Sequence, residues 1–128
     1  MKTIGPNIFR YTDYRKYLTD ALKMARRKIP DFTIQNFSER LGLADRGHLY
    51  QILWGKRNVT PDMGLRLTKL LKLKKRNTLY FEYLVMWRRA SSKLVQNEYF
   101  KRMCRINPRL KRMGKKLNKK RRFARKRK

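Results

Sequence analysis

The chain is 128 residues long, enough for one domain with an appendage, and sets 37 Lys and Arg against 8 Asp and Glu for a formal net charge of +29. Like charges repel in a compact state, so this excess adds nothing to fold stability and points to a polyanionic partner: nucleic acid first, anionic membrane second, acidic proteins third. A hydrophobic fraction of 41% suffices for a core and excludes a wholly disordered basic chain, while no apolar stretch is long enough to cross a bilayer and Met1–Tyr14 carries no signal-peptide run.

The predicted elements are all helices, because no alternating β-branched run stands between turn dipeptides. A first helix runs from about Asp13 to Lys28, with Tyr14, Tyr17, Leu18, Ala21, Leu22 and Ala25 on one face, and Pro30 and Asp31 close it. The second starts at the N-cap Thr33, where Phe32 can staple onto Phe37, and stops at Leu41 before Gly42. After a short turn a third spans about Asp45 or Arg46 to Leu53, with Leu49, Ile52 and Leu53 inward and Gly55 at its end. Thr60 caps the fourth, with Pro61 in the first helical position, Asp62 on the dipole, and Met63, Leu67, Leu70 and Leu71 as its stripe. The fifth, about Lys75 to Ala90, is apolar on almost every side, so it is expected to be buried or part of an interface. The sixth, about Ser92 to Ile106, carries Leu94, Val95, Tyr99, Met103 and Ile106 on one side.

Charge then divides the chain. No acidic residue follows Glu98, and from Asn107 to Lys128 13 of 22 positions are Lys or Arg. That segment has too little apolar surface to offset its ordering entropy, and it is expected to be disordered when free. The expected organisation is an all-α bundle of five to six helices over residues 1–106, with a helix-turn-helix at about 33–55 and following helices at 60–106. A basic tail occupies 107–128.

Catalytic equipment is scarce. One histidine, His48, one cysteine, Cys104, and scattered carboxylates make neither a nucleophile–base set nor a metal site, and no Gly-rich phosphate loop is present. The expectation is a protein without cofactor or metal that is not an enzyme. Cys104 reads as a small buried hydrophobe in a chain suited to a reducing compartment.

From Thr33 to Leu71 the rhythm is short helix, tight turn with Gly42, short helix, Gly55, loop, capped helix, the layout of a helix-turn-helix unit. Gln35, Leu41, Gly42, Gly55-Lys56-Arg57-Asn58 and the Pro61 helix resemble lambda-repressor-like, XRE-type helix-turn-helix domains. A closer resemblance, over roughly residues 8–106, is to a bacterial paralogous family of regulatory helix-turn-helix proteins. It rests on Tyr11-Thr12-Asp13-Tyr14-Arg15-Lys16-Tyr17-Leu18, the longer turn between Gly42 and Gly55, the Gly55–Thr60 loop and the Tyr80-Phe81-x-x-Leu84-Val85 helix. Members of that family continue into a much longer C-terminal region, whereas here the basic tail follows at once. The resemblance implies a DNA-binding transcriptional regulator in the bacterial cytoplasm, at the nucleoid.

On the third helix, the positions outward or flanking are Arg46, Gly47, His48, Tyr50 and Gln51, the candidates for base contact. Gln51 can pair bidentately with adenine, Arg46 or His48 can address guanine, and Gly47 lets the backbone approach the groove. Gln35 and Asn36 at the start of the second helix, and Lys56, Arg57 and Asn58 after the third, are candidates for the DNA backbone. Sequence-independent phosphate contacts fall to Arg109, Lys111, Arg112, Lys115, Lys116, Lys119, Lys120, Arg121, Arg122, Arg125, Lys126, Arg127 and Lys128. The expected partner is double-stranded DNA, with RNA as the alternative, and no membrane insertion. A homodimer would use Tyr80, Phe81, Leu84, Trp87 and the 92–106 helix. The competing reading is a nucleoid-associated or RNA/ribosome-associated protein without sequence specificity.

Overall fold

Helices start in this chain where a short polar side chain can take up a free backbone N–H. In the computed structural model, which describes residues 4–43, 45–110 and 112, Asp13 caps α1 (Tyr14–Lys28), Thr33 caps α2 (Ile34–Arg40) and Asp45 caps α3 (Arg46–Leu53). Thr60 caps α4 (Pro61–Leu70) and Ser92 caps α6 (Lys93–Ile106). Among the α-helices of the described residues, α5 (Lys75–Arg89) alone begins without a side-chain cap, at Lys74. A 3-10 turn, Ile8–Arg10, precedes α1. The structure is therefore all-helical over the described residues, with each helix within a residue or so of its predicted bounds.

One core joins these elements. Tyr14, Tyr17, Leu18, Ala21 and Leu22 of α1 pack with Phe37 of α2, Leu49 and Ile52 of α3, Leu67 of α4 and Tyr80, Phe81, Leu84 and Val85 of α5. Its centre is aromatic: Tyr14 and Tyr17 meet Phe81 edge-on at 6.1 and 6.2 Å, and Phe9 lies 5.0 Å from Tyr80. The Phe32–Phe37 staple forms at 5.7 Å. Cys104 is buried, as its reading as a small hydrophobe anticipates.

The packing bears on two of these expectations. The first is the dimer surface. Tyr80, Phe81 and Leu84 are at most 1% exposed, so they cannot meet a second copy. The reason is that α5 is enclosed by its own chain: α1 and the Ile8–Arg10 turn cover one side, and α6 covers another, with Tyr83 on Tyr99 at 6.1 Å and Trp87 on Phe100 at 6.2 Å. On α6 the predicted apolar face holds at Met103, whereas Leu94 and Val95 stand exposed.

The second is the boundary at residue 106. Asn107 and Leu110 are buried. Asn107 Nδ2 donates to the Phe9 carbonyl at 2.8 Å and to Tyr80 Oη at 3.1 Å, and Tyr80 in turn donates to the Tyr11 carbonyl at 2.7 Å. The start of the chain, α5 and the residues after α6 thus share one polar knot, and folding continues at least to Leu110. Of the 107–128 candidates, Arg109 and Arg112 are exposed; the others lie outside the residues whose side chains are described.

Candidate nucleic-acid interface

The α3 helix is only eight residues long, and its two faces differ in kind. Leu49 and Ile52 are locked in the core, while Arg46 and Gly47 are exposed and His48, Tyr50 and Gln51 half-buried. The five predicted base-contact residues therefore share one short helix, as the sequence spacing requires. Gly47 has a local reason as well. A Cβ there would sit 2.9 Å from the Asp45 carboxylate oxygen, which caps the helix by accepting from the His48 N–H. Glycine leaves room for the cap.

Beyond Leu53 the chain turns sharply. Trp54 N–H still donates to the Tyr50 carbonyl at 2.8 Å, and Gly55 then takes φ +85°, a left-handed conformation that costs side-chain-bearing residues more. The turn folds back so that the Lys56 and Arg57 N–H groups both donate to the Gln51 carbonyl, at 2.9 and 3.1 Å. Gln51 thus anchors the turn through its backbone, which leaves its side-chain amide uncommitted to that role.

A residue far away in sequence fastens this turn. Arg15 of α1 donates from Nε to the Ile52 carbonyl at 3.0 Å, and from Nη2 to the Arg57 carbonyl at 3.3 Å and Asn58 Oδ1 at 3.1 Å. Its guanidinium also lies 4.8 Å from the Tyr14 ring centroid. Asn58, expected as a backbone contact, has its carbonyl oxygen turned inward to this clamp. Arg57 Nη1 lies 3.3 Å from His48 Nε2. A guanidinium only donates, so in a hydrogen bond between them the imidazole nitrogen is the acceptor. Lys56, Arg57, His48 and the turn are thereby brought to one end of α3.

The α2 candidates are placed differently. Gln35 donates its side-chain amide to Glu39 at 3.2 Å, and the Asn36 N–H is taken by the Thr33 hydroxyl at 3.0 Å. These groups have partners within α2 and its cap. Across the turn between α2 and α3, Gly42 takes φ +79°, and Arg66 of α4 holds the Leu41 carbonyl at 2.9 Å while pairing with Asp62 at 3.2 Å.

Two residues belong to this end of the molecule that sequence reasoning passed over. Arg15 carries no local signal, since its partners lie 37 to 43 residues on. Trp54 does carry one. It stands four residues after Tyr50 and seven after Gly47, which puts it on the same helical stripe. It is 68% exposed and stacks on Tyr50, with ring centroids 5.3 Å apart and planes 21° from parallel.

Electrostatically the chain as a whole is lopsided. With 37 basic and 8 acidic side chains in the chain, carboxylates cannot neutralise most of the cations one to one, and the excess must be met by counterions or a polyanion. No helix among the described residues is long and apolar enough to cross a membrane. Set against known protein families, characterised proteins and solved structures, the chain matches none of them.

Proposed function

We propose that this protein binds double-stranded DNA as a transcriptional regulator, with α3 as the reading helix and the Lys56–Asn58 turn on the phosphates. The observation that carries the reading is the single outward stripe of α3, bearing Arg46, Gly47, Tyr50 and Gln51, braced from behind by Arg15 and followed at once by Lys56 and Arg57. A short helix held rigidly at both ends, one side in the core and the other polar, is what insertion into a major groove requires. Gln51 addresses adenine and Arg46 guanine, each good bidentate pair contributing about 1–3 kcal/mol of discrimination. The Lys- and Arg-rich residues after Leu110 add contacts that ignore sequence. On this reading the protein works in the bacterial cytoplasm, at the nucleoid.

The test is selection from a random duplex DNA pool between about 50 and 200 mM salt, with the full chain and with a chain ended after Arg112. If six to ten cations reach phosphates, affinity falls about 10³–10⁵-fold across that range. A regulator enriches one motif in both forms and loses it on Gln51→Ala or Arg46→Ala, with a shallower salt dependence in the shortened form. Enrichment of nothing, with binding lost along with the C-terminal residues, refutes the reading-helix assignment and leaves a general nucleic-acid binder. Structured RNA outcompeting duplex DNA at the same salt refutes DNA as the partner.

A further inference from the structure

Trp54 ends α3 and stacks on Tyr50, yet its ring stands outside the core. Leu49 and Ile52, with half-buried Leu53, supply what α3 gives to the core, whereas Trp54, a larger apolar side chain than any of them, is 68% exposed. Exposing an indole to water is unfavourable, and large exposed apolar surface in a folded chain usually marks a place where something binds. The mount is also rigid. Tyr50 backs the ring at 5.3 Å, the Trp54 N–H holds the Tyr50 carbonyl, the Lys56 and Arg57 N–H groups hold Gln51, and Arg15 grips the Ile52 carbonyl. A flat aromatic pair is thus presented with its geometry already set and with exposed Lys56 and Arg57 two and three residues along the chain.

The charge beside it names the occupant. An apolar protein segment or a lipid tail would cover the indole but give Lys56 and Arg57 no counter-charge. A nucleic acid offers both chemistries side by side, because each base carries a π-face and each linkage a phosphate. Inside an intact duplex the base faces are covered by their neighbours and only edges are open in the grooves. A stacking ring therefore needs a base that has left the stack.

We propose that Trp54, backed by Tyr50, is a stacking site for an unpaired nucleobase in DNA, such as a bulged base, with Lys56 and Arg57 on the adjoining phosphates. The proposal rests on the reading of this end of α3 as a nucleic-acid surface, and not on insertion of α3 into a groove. It gives the site a preference for distorted over perfect duplex.

Binding of the full chain to three labelled DNA duplexes at about 150 mM salt tests it: one perfectly paired, one with a single-nucleotide bulge, and one with an abasic residue in the bulge. Stacking of one base is worth roughly 1–3 kcal/mol on alanine substitution, which at tenfold per 1.4 kcal/mol is about a 5- to 150-fold change in affinity. The bulged duplex is expected to bind tighter than the other two by a factor in that range. Trp54→Ala abolishes the preference, bringing bulged and perfect duplexes to equal affinity; Trp54→Phe, which keeps a stacking ring, restores most of it. Since Trp54 is largely outside the core, the thermal melt of the variant should match that of the original chain. Equal affinity for bulged and abasic duplexes overturns the proposal, as does Trp54→Ala weakening perfect and bulged duplexes alike. A Trp54-dependent preference seen only with a bulged RNA duplex overturns DNA as the source of the base. Loss of motif selection by α3 with the bulge preference intact refutes the regulator reading alone.

Discussion

Ending the chain after Ile106 should destabilise it severely, although the residues removed look like solvent-exposed polar and basic sequence. Two groups decide the magnitude. Asn107 is 3% exposed and donates to the Phe9 carbonyl and Tyr80 Oη. Losing its amide leaves those acceptors short of a partner, a cost of about 1–3 kcal/mol. Leu110 is 1% exposed, and removing its side chain forfeits about 2 kcal/mol of burial. Together the loss is roughly 3–5 kcal/mol, against a total stability of about 5–15 kcal/mol for a domain of ordinary size. Urea denaturation of chains ended after residue 106 and after residue 112 should therefore show midpoints well apart, and Asn107→Ala and Leu110→Ala in the full chain should each account for part of the gap. If the two shortened chains unfold within about 1 kcal/mol of each other, the polar knot at Tyr80 contributes no net stability and the burial argument fails.

Three further outcomes follow from particular contacts. Arg15→Ala removes three hydrogen bonds to the 52–58 turn and should cost roughly 1–2 kcal/mol, with faster amide hydrogen exchange confined to that turn; an unchanged melt and exchange pattern would remove the clamp. Gly42→Ala should lose about 1–2 kcal/mol, because φ is +79° and the new Cβ would collide with the Arg66 guanidinium; adding Arg66→Ala should relieve only the collision, so full recovery would refute backbone strain as a cause. Burial, aided by the hydrogen bond to Asp20 and its charge, holds the Tyr11 phenol up to about 12, and burial also raises Tyr14, Tyr17 and Tyr80 above their ordinary value of 10.0. Each is raised in the fold, so the stability it confers is complete below pH 10.0 and disappears as pH climbs through the folded values. The phenolate absorbance of these four tyrosines should then rise together with the loss of helical circular dichroism, and ionisation of all four near pH 10 with the helices intact would contradict it.

What was legible in the sequence was local. The Thr33 and Thr60 caps act on N–H groups three residues away, and the Phe32–Phe37 staple spans five, so helix starts can be read without knowing the fold. The outward side of α3 follows from the inward spacing of Leu49 and Ile52. What was not legible was distant. A uniformly apolar α5 is equally consistent with a dimer surface and a core helix, and the choice was made by groups far off in sequence: Tyr11 is 69 residues from Tyr80, and Asn107 lies 98 residues from Phe9. Asn107 reads as solvent-facing beside a Lys- and Arg-rich run, because composition reports the average of a segment and not the one member that finds a buried partner. Arg15 hides for the same reason among the basic residues of α1.

Backbone carbonyls in this fold take the place of carboxylates as partners for arginine. With so few acidic side chains, several guanidinium groups bind backbone carbonyls at helix ends: Arg15 takes Ile52 in the last turn of α3, Arg66 takes Leu41 at the end of α2, and Arg76 takes Ile106 at the end of α6. The last carbonyls of a helix lack partners and carry the negative end of its dipole, so a cation with directed N–H groups satisfies both needs. These arginines keep their charge but commit N–H groups to the fold, so the salt dependence of binding should count fewer phosphate contacts than composition suggests. The consequence is a distinction between charge and geometry. Arg15→Lys keeps the charge but loses the fork that reaches Ile52, Arg57 and Asn58 at once. It should loosen the turn behind α3 and weaken motif selection while leaving the salt dependence of binding as it was. A variant whose salt dependence shifts instead, with the turn unmoved, would make Arg15 a phosphate contact rather than a brace.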